Sequence, residues 1–97
     1  MDFMNYLQEN KKQCLSNAAL LAADGRNDDS IMEKVRANVF DIFIQTKGQT
    51  HLLEHFLATW SNALTLADEH GDAASAAIEQ VKLNVLSEIT QEANRHA

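Results

Sequence analysis

Ninety-seven residues make one small domain, and 45% apolar against 23% charged residues is too apolar a balance for a disordered chain. Three glycines, no proline and a single cysteine, Cys14, argue against a β-rich domain, which needs turn residues about every 8–12 positions, and exclude an intrachain disulfide or a cysteine-rich zinc site. Eight basic against fourteen acidic residues give a net charge of −6, which opposes a phosphate backbone, and no apolar run approaches the ~18 residues of a membrane span.

Nucleic acid and membrane are therefore not expected as partners. No basic start with an apolar stretch follows Met1, so the chain is expected to be soluble and cytoplasmic. Residues 1–97 are read as a single helical domain.

The first predicted helix opens at Asp2, an N-cap, and carries Phe3, Met4, Leu7, Cys14, Leu15, Ala18, Leu21 and Ala22 on one face. Lys11 falls in the middle of that face. The stretch from Asp24 to Ser30 is acidic and is predicted as the longest loop. Its spacing is not that of an EF-hand: counting from Asp24, Arg26, Asp29 and Val35 stand at positions 3, 6 and 12.

Ser30 and Glu33 form a capping box that predicts the start of the second helix. Its core stripe is Ile31, Met32, Val35, Val39, Ile42 and Phe43. On the opposite side lie Ala37, Phe40 and Ile44, a second apolar patch.

Thr50 is a plausible N-cap for the third helix, whose stripe is Leu52, Leu53, Phe56, Leu57, Trp60, Ala63, Leu64 and Ala67. Its first turns hold His51-Leu52-Leu53-Glu54-His55. This resembles the H-x-x-E-H motif of inverzincin metallopeptidases, in which two histidines bind zinc and the glutamate is the base. The wheel places the leucines inward, so His51 and His55 face solvent, whereas a catalytic zinc needs a pocket and further ligands.

Residues 63–74 resemble the turn of a tetratricopeptide hairpin. The family's period of about 34 and its aromatic positions are not met, so the stretch is read only as a hairpin turn.

Asp72 is the predicted N-cap of the fourth helix, which carries Ala74, Ala77, Ile78, Val81, Val85 and Ile89. Glu88 and Glu92 also fall on its apolar face. An ion pair from Lys11 to one of them is expected where the start of the first helix meets the end of the fourth.

Gly25, Gly48 and Gly71 divide the chain into four stretches and are expected at the C′ position, where a helix ends in left-handed backbone. Glu33, Val35, Asn38 and Val39 recur as Glu79, Val81, Asn84 and Val85, an offset of 46 that also relates Leu20 to Leu66 and Gly25 to Gly71. The expected fold is all-α: an antiparallel four-helix bundle, with two related helical hairpins as the variant the repeat suggests.

By the same offset Leu83 and Leu86 match Ala37 and Phe40. These residues could belong to central, doubly covered helices, to a homodimer interface, or to a surface that docks another protein. The interface is the reading adopted, through Ala37, Phe40, Ile44, Leu83 and Leu86, because a chain this short buries little core. The expected function is a non-enzymatic protein-interaction or self-association domain, with a dimer or another protein as partner and no cofactor. One alternative is a metal-binding protein or metal-dependent hydrolase using His51, Glu54 and His55. Another is an acidic, antitoxin-like regulator of a basic protein.

Overall fold

The helical stripes become four helices in the computed structural model, which describes residues 2–96: α1 (Phe3–Ala23), α2 (Asn27–Gln45), α3 (Leu52–Glu69) and α4 (Ala73–Arg95). The fold is an all-α, antiparallel four-helix bundle. No described helix is long and apolar enough to cross a membrane.

Two N-caps stand where the sequence places them. The Asp2 carboxylate accepts the Asn5 N–H at 2.7 Å, and that of Asp72 accepts the Ser75 N–H at 3.1 Å. Ser30 is not a cap. The turn after α1 is only three residues, so α2 starts at Asn27 and carries Ser30 into its first turns. There Ser30 is buried and its hydroxyl donates to the Ala18 carbonyl at 2.8 Å, tying α1 to α2. Thr50 is not a cap either; α3 begins after His51, which makes no side-chain capping bond.

The turns after α1 and α3 are the same structure. Gly25 N–H donates to Ala22 at 3.0 Å and Arg26 N–H to Leu21 at 2.9 Å; 46 residues on, Gly71 donates to Asp68 at 3.1 Å and Asp72 to Ala67 at 2.9 Å. Each is a Schellman motif, with glycine at C′ in left-handed backbone (φ +77° and +67°). The turn after α2 follows the same pattern one residue early. Lys47 takes C′ at φ 59° and donates to Ile44, while Gly48 donates to Phe43. The sequence expectation of Gly48 at C′ is thus off by one position.

Helix α1 packs on α2, α3 packs on α4, and the two hairpins join through α2 and α4. No Cα of α3 comes within 8 Å of α1 or α2. In a square up-down-up-down bundle α2 and α4 would be diagonal neighbours; here that diagonal is closed. The two helices run in the same direction. Their first turns share one cavity, and the C-terminal half of α2 and the cap of α4 both meet the start of α1, through Tyr6 against Phe40 and Phe3 against His96.

The offset of 46 also relates the packing. Val39, Phe40 and Phe43 are buried on α2, and their counterparts Val85, Leu86 and Ile89 are buried on α4. Asp28 and Ala74 are counterparts, as are Met32 and Ile78, and all four line the shared cavity. Equivalent residues meeting across a join is the pattern of an isologous contact, with an approximate twofold axis between the hairpins.

The result is flat, 38 × 34 × 19 Å, with a radius of gyration of 14.0 Å. A globular chain of this length has a radius near 12.5 Å, so the fold leaves faces uncovered.

Candidate functional site

The residues expected at an interface are mostly interior. Phe40 is 0% exposed, Leu86 2%, and Ala37 is likewise buried. Phe40 meets the ring of Tyr6 edge-on from α1, at 6.0 Å between centroids. On the same helix Phe43 meets Phe56 from α3 at 5.8 Å, a side-chain bridge between helices whose backbones stay apart. Helix α2 is therefore covered on more than one side, and its second apolar patch is core. Ile44 and Leu83 are only partly buried and pack at the edge of the same cluster. The interface assignment is thus corrected for Ala37, Phe40 and Leu86, because α1 and α4 already occupy the faces of α2.

Lys11 does not pair with α4. Its ammonium donates to Asp41 on α2 at 2.8 Å, and this bond holds the Asp41 carboxyl below its ordinary pKa. Glu88 faces Arg36 at 3.5 Å, and Glu92 faces Arg95 at 3.1 Å and His96 at 3.2 Å. With Tyr6 and Asn10, the side chains of Arg36, Glu88, Glu92 and Arg95 line a polar recess of about 240 Å³ at the seam between the hairpins. Burial, reinforced by Glu88 and Glu92, raises the Tyr6 hydroxyl above its usual value.

Cys14 is buried at the position equivalent to Trp60. Each has a cation from the partner helix beside it. Lys82 lies 5.7 Å from the Trp60 ring and bonds Glu79 at 3.1 Å, and Arg36 and Glu33 lie against the Cys14 thiol. Burial pushes that thiol up, which suits a small packed side chain rather than a nucleophile.

His51, Glu54 and His55 are exposed at the start of α3. His55 sets its ring against Phe56 at 5.2 Å, and Glu54 lines the mouth of a groove. Among the described residues, no group of three or more His, Cys, Asp or Glu side chains is placed to hold a metal ion.

That groove is the feature that pattern reading missed. It holds about 250 Å³ between α3 and α4, with Leu53 and Leu57 on one wall and Leu83 and Leu86 on the other. Leu57 is 53% exposed at its edge. A signal for it exists in the sequence. The apolar stripe of α3 spans roughly 140° of the wheel, wider than one neighbouring helix covers. Because only α4 brings its backbone close to α3, the edge of the stripe stays open.

At the equivalent place on the first hairpin, Lys11 and Asp41 stand where Leu57 and Ser87 stand on the second. An ion pair crosses the first hairpin here, beside a recess lined by Lys11, Leu15 and Ile44, whereas a leucine stands at the place of the lysine on the second. Comparison with protein-family models, curated proteins and solved structures finds no match for this chain.

Proposed function

We propose that this chain is a non-enzymatic interaction domain that self-associates through the α3–α4 side, in the cytoplasm. The observation that carries the reading is the open apolar groove of Leu53, Leu57 and Leu83, floored by the buried Leu86. Two further points favour a second copy as its occupant. The accessible surface of 6019 Å² exceeds the roughly 5,500 Å² of a typical monomer of this mass. The excess, about 500 Å², approaches the ~800 Å² that each partner contributes to a standard interface.

Charge also permits the pairing. Nearly all of the net negative charge lies at the opposite ends of α3 and α4, at residues 68–72 and, in the first hairpin, residues 24–29. The groove itself has one charged lining residue, Glu54, so two copies can meet there without strong repulsion.

Light scattering over a concentration series tests the reading. The weight-average mass of the wild type is expected to stand about midway between monomer and dimer at about 100 µM, with Leu57→Asp a folded monomer, since a dissociation constant of about 100 µM suits a small interface. Leu57 is half exposed, so helicity by circular dichroism should not change. A wild type that stays monomeric, or a Leu57→Asp variant that still dimerises, overturns the reading.

A further inference from the structure

The two equivalent turns lie at one end of the molecule, because the first turns of α2 and α4 share a cavity there. That end concentrates the charge. Asp24, Asp28, Asp29, Asp68, Glu69 and Asp72 are all exposed, and only Arg26 opposes them. Six carboxylates and one guanidinium give −5 of the chain's −6, with histidine neutral. The guanidinium is already held by Asp29 at 2.6 Å.

The same end also exposes apolar side chains. Leu20 is 68% exposed and Leu66, its counterpart 46 residues on, is 47% exposed. Ile31 is 49% exposed and, with Met32 and Ile78, lines the shared cavity of about 330 Å³. Asp28 stands on the wall of that cavity, so one of the six carboxylates adjoins its apolar surface directly.

We infer that this end docks a basic amphipathic helix of another protein. Apolar side chains of the helix would enter the Ile31–Met32–Ile78 cavity and cover Leu20 and Leu66, while its lysines and arginines face the six carboxylates. Burial gives such a contact affinity, and complementary charge gives it partner choice and a fast encounter. A second copy of this chain is disfavoured here, since two surfaces of −5 would repel. The inference does not depend on self-association at the α3–α4 groove, which lies on a different part of the molecule.

The test is a fluorescence titration of the full chain with two labelled peptides that share one helical leucine stripe, one with lysine and one with glutamate on the polar face. The lysine peptide is expected to bind at least tenfold more tightly. Asp28→Asn with Asp68→Asn should weaken it about tenfold, whereas Asp2→Asn with Glu9→Gln, the same change in charge at exposed positions elsewhere, should weaken it less than twofold. Ile31→Ser, at a half-exposed position, should weaken it several-fold with the fold intact. Repeating the titration in Leu57→Asp separates this site from self-association, and the same preference is expected there. Equal loss in the two charge-neutralised pairs would reduce the effect to diffuse attraction and overturn the site, as would no binding or no effect of Ile31→Ser.

Discussion

Phe40 belongs to the interior, and its neighbours say why one residue pattern supports two structures. A helix with apolar side chains on opposite faces is either a central helix or a helix with a partner elsewhere. Residue identity is the same in both cases, and only the count of neighbouring helices separates them. Here α1 and α4 supply both covers, so Phe40→Ala should act on folding. Its loss is expected to cost about 3–5 kcal/mol in urea unfolding, as for other buried phenylalanines. Lys11 shows the same limit. Its place on the apolar face was legible and its partner was not, because α2 lies closer to it than α4.

The Lys11–Asp41 bond has a pH signature. The folded Asp41 carboxyl titrates below its unfolded value. Its contribution is therefore complete above about pH 4 and is lost as pH falls through the folded pKa. Both side chains are about a third exposed, so screening limits the effect to about 0.5 kcal/mol. Asp41→Asn should lower the melting temperature slightly at pH 6, and the difference from wild type should shrink as pH falls through the lowered pKa of the folded carboxyl.

At the scale of elements, all four helices were legible from their stripes, and the ends of α1 and α3 from Gly25 and Gly71. Those glycines are required by positive φ alone, since nothing lies within 4 Å of where a Cβ would be. Gly25→Ala and Gly71→Ala should thus cost the same, roughly 1 kcal/mol each, because the two turns are equivalent. The start of α2 was misplaced since Ser30 and Glu33 satisfy a capping box in sequence, while the Schellman turn at Gly25 lets the helix begin four residues earlier. After α2 the left-handed C′ position falls on Lys47, with a side chain and strained backbone. Lys47→Gly is expected to stabilise the protein by up to about 1 kcal/mol in the same urea assay.

At the scale of the molecule, the offset of 46 was visible as a few recurring residues, and its consequence is the closed diagonal between α2 and α4. Sequence alone did not show that closing this diagonal buries Phe40 and Leu86 while leaving one flank of α3 bare. The exposed surface follows from how two hairpins join, and no single stripe encodes that join. It places the buried core of α2 and the α3 wall of the associating flank on different elements, which can be read out separately.

Hydrogen–deuterium exchange at low and high protein concentration reads both at once. Amides around Leu53–Leu57 should gain protection as concentration rises, while those around Val39–Phe43 should be slow and unchanged throughout. Exchange in α3 that ignores concentration, or a concentration effect centred on α2, would contradict self-association through the α3–α4 side.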